Sequence, residues 1–200
     1  NWPDLPVGTV AASVGPVMAS SNEFQITIRG KGCHAAMPHL GQDPVVAAAA
    51  LIQGFQSIVS RNLKPIDDSV ISVTILRAGE ASNVIPDTCT LEGTVRTFTL
   101  EALDNIDARM REMAKAIALA YGCVAEFHFE RNYPPTINHA AQVQIVQTAA
   151  AAALGKTSVQ QQEPTMGAED FAYMLQAKPG CYFFLGNGDG EHRSAGHGIG

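Results

Sequence analysis

The sequence predicts an α+β protein whose middle, residues 21–131, is a ferredoxin-like β-α-β-β-α-β sandwich. Apolar residues recur at every second position in short segments and at three- and four-residue steps in longer ones. Their order is strand, helix, strand, strand, helix, strand. Each segment has one apolar face, so a sheet built from these strands needs helices on one side only.

The first strand falls at 23–29, with Phe24, Ile26 and Ile28 facing one way and Gln25, Thr27 and Arg29 the other. Gly30 and Gly32 are expected to take positive φ and to leave His34 uncrowded on a flexible turn. The first helix, 44–61, opens at Asp43-Pro44: an aspartate suits the N-cap, and a proline suits the first helical position, where no amide donor is needed. Its core side is Leu51, Ile52, Phe55, Ile58 and Val59. Strands follow at 70–77, with Ile71, Val73 and Ile75 on one face, and at 88–97, with Cys89, Leu91 and Val95. The second helix, 100–121, carries Leu103, Ile106, Met110, Met113 and Ile117 and closes at Gly122. A last strand, 123–130, turns Cys123, Ala125, Phe127 and Phe129 inward. The opposite sheet face is polar and free to pair with another subunit.

The flanks read differently. Residues 1–20 are small and apolar, punctuated by Pro3, Pro6, Gly8, Gly15 and Pro16, and have no helical period. They fit a strand-plus-loop segment of a larger unit. After the linker Tyr133-Pro134-Pro135 come a helix at 139–154 stopped by Gly155 and a turn at Pro164–Gly167. A short helix holding Glu169, Asp170 and Phe171, an apolar strand at 182–185 and a glycine-rich end complete the chain. The expected organisation is therefore 1–20, 21–131 and 132–200.

Composition narrows the function. With 46% hydrophobic and 16% charged residues the chain buries a substantial core. A net charge of −6 with no basic stripe excludes a nucleic-acid partner. No apolar run approaches a membrane span. Cys33, Cys89, Cys123 and Cys181 form no C-x-x-C pair, which suits reduced thiols in a cytoplasmic protein.

No H-E-x-x-H, H-x-D or adjacent Glu–Glu pair announces a metal site, and no Gly-x-Ser-x-Gly elbow announces a serine hydrolase. His192 and His197 would need Asp189 or Glu191 as a further ligand; otherwise they lie on a solvated loop. His128, between Glu126 and Glu130, reads as a surface histidine, and His139 as a helix-start residue. His34 is either a proton donor or oxyanion partner, or a loop histidine without a role. Arg96 is either a solvated or ion-paired residue of the polar sheet face, or a bidentate fork for a carboxylate with Asn83 as a neutral donor.

Four ordered motifs add a resemblance: Gly30-Lys-Gly-Cys-His-Ala-Ala-Met-Pro-His39 with Asp43-Pro44, Ala81-Ser-Asn-Val-Ile-Pro-Asp87, Gly93-Thr-Val-Arg-Thr-Phe98 and Met166-Gly-Ala-Glu-Asp-Phe171. Together they resemble the metal-dependent amidohydrolases related to hippurate hydrolase, N-acyl-amino-acid hydrolases and plant auxin-conjugate hydrolases. These sit within a larger group of carboxypeptidases and aminoacylases.

The resemblance implies that residues 21–131 are a lid or dimerisation domain inserted in a partial α/β catalytic domain. It implies a homodimer, a small N-acyl amino acid substrate, and zinc or manganese in the intact enzyme. His34 would meet the developing oxyanion in the partner subunit's active site, and Asn83 and Arg96 would grip the substrate's free carboxylate. Glu169 and Asp170 would either line the pocket or stand just behind the residues that do. The metal ligands and the glutamate base would lie mainly ahead of Asn1 and beyond Gly200. The chain is thus expected to be an internal fragment, holding no metal and inactive alone. The alternatives are a carboxypeptidase or dipeptidase of the same group, or a non-catalytic ferredoxin-like dimerisation module. The apolar flanks, which such a module would not need, speak against the last.

Overall fold

The computed structural model describes residues 2–3 and 5–188. In chain order the first elements are strands β1 (Val10–Ala11), β2 (Gly15–Met18), β3 (Ser21–Arg29) and β4 (Cys33–His34), then helix α1 (Pro44–Ser57). Next come β5 (Ser69–Ala78), β6 (Val84–Ile85), β7 (Thr88–Thr97), α2 (Leu100–Ala120) and β8 (Val124–Tyr133). The chain continues through β9 (Thr136–Asn138), α3 (Ala140–Leu154), β10 (Val159–Gln160), α4 (Phe171–Ala177) and β11 (Phe184–Leu185). It divides into two compact units, residues 20–134 and residues 1–19 with 135–200.

The unit 20–134 is a ferredoxin-like α+β sandwich. Its antiparallel sheet has the order β5-β7-β3-β8, with α1 and α2 packed on one face. The register sets that face: Phe24 lies opposite Gly93, Ile26 opposite Leu91 and Ile28 opposite Cys89. Against this row pack Leu51, Phe55 and Ile58 of the first helical stretch and Leu103, Ile106 and Met110 of α2, all buried. Each such side chain contributes roughly 1.5–3 kcal/mol by leaving water.

Both helices start on side-chain caps. Asp43 Oδ1 accepts from the amides of Val45 and Val46 at 2.8 and 3.3 Å, and Thr99 Oγ1 accepts from Ala102 N–H at 3.1 Å. Helix α1 ends at Ser57 and widens into a π turn over Ile58–Asn62 rather than running on to 61 as an α-helix. Helix α2 ends on Gly122 at φ 72°, where Cys123 N–H reaches back to Ala118 O at 2.8 Å.

Two strands differ from expectation. The register of β5 shifts between Val73 and Ile75, so Ile75 lies opposite Glu92 on the outer face. Leu76, which stays half exposed, and Ala78 lie opposite Leu91 and Cys89. A bulge inserts one residue and inverts the alternation beyond it, which period-two reading cannot see. Strand β8 runs to Tyr133, past the expected end at 130. Arg131 is anchored from the inner face by Asp104 at 2.7 Å and Asp107 at 3.3 Å, and Arg111 lies 4.8 Å from the Phe127 ring centroid.

The other unit pairs β1 with β10 in parallel and with β11 antiparallel, and β2 with β9. Tyr182 and Phe183 do not join β11 as expected. The side chain of buried Asn138 takes both backbone groups of Tyr182, accepting from its N–H at 2.6 Å and donating to its carbonyl at 2.7 Å. An amide side chain thus replaces the neighbouring strand. Helix α4 begins at Phe171, so Asp170 stands at its cap position and Glu169 lies ahead of it. All four cysteines are free, and no helix among the described residues is long and apolar enough to cross a membrane.

Two outcomes follow from this packing. A Cβ on Gly93 would collide with Ser72 O and lie 2.6 Å from Phe24 Cζ. Gly93→Ala should therefore cost about 2 kcal/mol or more in chemical denaturation; an unchanged midpoint would contradict the register described here. The second concerns Tyr182, whose phenol donates to Glu169 Oε2 at 3.2 Å. Burial first, then the Glu169 charge, pushes its pKa up from 10.0 to about 12. Below pH ~10 the phenol is neutral folded or unfolded. Above it the unfolded chain ionises first, so stability present below pH ~10 is lost as pH climbs towards 12. Tyr182→Phe should flatten this loss between pH 10 and 12; parallel curves for the two proteins would refute the assignment.

Candidate functional site

The loop carrying His34 is built by close backbone approach. Gly30 N–H donates to Asp87 O and Gly32 N–H to Asp87 Oδ1, both at 2.8 Å. Lys31 and Gln42 exchange two backbone bonds of 2.9 Å. A Cβ on Gly30 would strike Gln42 O, and one on Gly32 would lie 2.7 Å from Ile85 O. Neither glycine is among those with positive φ. They are needed because other backbone passes against them, which corrects the expectation from turn chemistry.

His34 does not sit on a flexible turn either. It belongs to a two-stranded ladder in which Cys33 lies opposite Ile85 and His34 opposite Val84. The ladder continues with Ala35 N–H donating to Asn83 O at 2.9 Å. His34 and Asn83 are therefore brought together on one exposed tip. Beyond it, Met37 N–H donates to His34 O at 2.8 Å and Ala36 N–H to His34 Nδ1 at 3.1 Å. A backbone N–H only donates, so Nδ1 is unprotonated in this arrangement and the ring proton resides on Nε2. The loop thus presents a neutral Nε2–H donor.

Arg96 is elsewhere. It lies on the outer face of β7 at the end opposite the His34 tip, half-buried. From Thr88, beside Asp87, to Arg96 the strand covers about 26 Å at roughly 3.3 Å per residue. Asn83 and Arg96 of one copy are thus too far apart to hold one carboxylate. Arg29, Arg77, Arg109, Arg111 and Arg131 are ion-paired; Arg96 has no such partner among the described residues. Its Nε–H donates to Thr94 Oγ1 at 3.2 Å, and Thr94 Oγ1 donates to Asn22 O at 3.0 Å. Burial lowers the guanidinium pKa, partly offset by the charge of Glu23. A desolvated cation with a spare fork is suited to a carboxylate or phosphate.

Glu169 and Asp170 belong to the other unit. Glu169 accepts from the Tyr182 phenol, whose ring lies 5.7 Å from that of Phe171. Sequence reasoning missed Thr94 and Asp87 as supporting residues. A threonine two positions before an arginine on one strand face was the signal for the first; nothing local marks the second. Among the described residues no group of three or more His, Cys, Asp or Glu is placed to hold a metal, so the donor set there does not fit one. His192 and His197, with Asp189 and Glu191, lie outside the described residues.

The sequence profile of the peptidase dimerisation domain matches residues 20–122. The chain is 42% identical over 191 residues to an N-acetylcysteine deacetylase of Bacillus subtilis, covering 96% of this chain and 50% of that protein. It is 40% identical over 186 residues to an N-acetyldiaminopimelate deacetylase of Enterococcus faecalis, covering 92% and 49%. The chain spans about half the length of the curated relatives it matches. Among solved structures, an aminohydrolase of Staphylococcus aureus superposes with a TM-score of 0.83 at 27% identity, covering 91% of this chain and 47% of that one. A Bacillus subtilis dinuclear metal-binding peptidase of the M20 family superposes at 0.77 and 38% identity, covering 93% and 46%. The sheet order, the matched profile and these likenesses agree: the chain belongs to the M20 peptidase family and carries its dimerisation domain.

Proposed function

We propose that the protein is part of a homodimeric amidohydrolase that cleaves the amide bond of N-acyl amino acids. The observation that carries this is Arg96, a half-buried guanidinium that forms no ion pair among the described residues and has its Nε already held. It is suited to the free carboxylate that an N-acyl amino acid retains. The similar proteins are named deacetylases, which favours acetyl as the acyl group over the benzoyl group of hippurate.

The site is a composite of two copies. One substrate spans only a few ångströms between carboxylate and scissile carbonyl, whereas about 26 Å of strand separates Arg96 from the His34 end. Arg96 of one subunit holds the carboxylate, and His34 and Asn83 of the partner subunit reach the same substrate. The His34 Nε2–H donor meets the oxygen on which charge develops; Asn83 adds a neutral donor. Sheet-edge strands β5 and β8, and the exposed Val45 and Val46 on α1, are the surfaces from which such a pair would form.

The intact enzyme takes a divalent metal, as the likeness to a dinuclear metal-binding peptidase supports; zinc or manganese is the choice that the motif resemblance implies. The described residues offer no ligand set for it, so what they supply is grip and oxyanion contact.

In the intact enzyme, His34→Ala should lower kcat on the order of 10²–10³-fold with little change in KM, because an oxyanion contact acts in the transition state. Arg96→Ala should instead raise KM for substrates with a free carboxylate. Mixing the two variants tests the composite site. A hybrid dimer has one site with both residues intact, so at substrate well below KM, where each variant alone is slow, random exchange should restore about a quarter of wild-type activity. No recovery after demonstrated subunit exchange would place His34 and Arg96 in separate sites, and the composite assignment would fall.

A further inference from the structure

We infer that Thr94 is a positioning residue that aims the Arg96 fork, an assignment that rests on the carboxylate role proposed for Arg96. Three observations support it. Thr94 and Arg96 stand two positions apart on the outer face of β7, so their side chains are neighbours along the strand. The Thr94 hydroxyl takes the Arg96 Nε–H at 3.2 Å, and its own proton goes to Asn22 O at 3.0 Å. A single hydroxyl is thereby used in both directions, which fixes its rotor and the plane of the guanidinium.

The anchor behind it is firm. Asn22 is fully buried, and its Nδ2 donates to Ser20 Oγ at 2.9 Å and to Val95 O at 3.0 Å. Ser20 Oγ in turn lies 3.0 Å from Thr97 Oγ1. The arginine is thus tied through one threonine to a buried polar network joining β3 and β7. With Nε occupied, both terminal nitrogens remain for the two oxygens of a carboxylate. An arginine on a free stem would lose more rotamer entropy on binding; one already held loses less.

The test is made in the intact enzyme with Thr94→Val, which keeps the branched shape and removes the hydroxyl, and Thr94→Ser, which keeps the hydroxyl. Thr94→Val should raise KM for the free-carboxylate substrate on the order of tenfold, as losing one hydrogen bond to a charged group does. Its kcat should stay within about twofold, and the neutral amide analogue should be turned over as by wild type. Thr94→Ser should return KM close to wild type. In an Arg96→Ala background, Thr94→Val should add nothing further. An unchanged KM in Thr94→Val, or the same increase in the Arg96→Ala background, overturns the inference. If Arg96→Ala itself leaves KM unchanged, the carboxylate role fails instead. The Thr94 contact is then decided by the Arg96 Nε–H resonance, which should shift in Thr94→Val and not in Thr94→Ser; no shift refutes it.

Discussion

The pairing of β3 with β7 governs the rest of the structure. These are the two central strands, held opposite one another from Asn22–Val95 to Arg29–Thr88. A slip of one residue would turn Phe24, Ile26 and Ile28 out to solvent and bring Gln25, Thr27 and Arg29 against the helices. The same ladder ends in the two polar features that matter chemically. At one end Gly30 and Gly32 are fastened to Asp87. At the other, Thr94 bridges Asn22 and Arg96. Core and candidate site are therefore specified by one register.

Much of this was legible in the amino acids. Period-two and helical patterns, the Asp43-Pro44 start and the Gly122 stop place the sandwich elements because each rests on local chemistry. The departures arise where a distant group intervenes. Ile75 faces outward because of an inserted bulge residue, and Tyr182 leaves its strand because Asn138, far away in sequence, offers a better-placed amide. Gly30 and Gly32 look like turn glycines in isolation. Their need is set by Gln42 and Ile85, which only the folded chain brings near.

The candidate site shows the same division. His34, Asn83 and Arg96 are legible as residue types able to donate to an oxyanion or a carboxylate, but their spacing is not. The Nδ1 acceptance that fixes the His34 tautomer depends on the turn at Ala36, and the lack of an ion-pair partner for Arg96 among the described residues emerges only in the folded chain. Sequence gives the functional groups; the sheet gives the distances between them.

The length of β7 has a consequence beyond geometry. If gripping and oxyanion groups stand at opposite ends of one strand, a lone folded subunit cannot bring both to the same substrate. Competence then belongs to the encounter of two chains and becomes second order in protein. Specific activity would fall on dilution as the pair dissociates, with no unfolding to announce it. A molecule wedged between the subunits would silence the enzyme without touching substrate, and the cell could set activity through expression level alone.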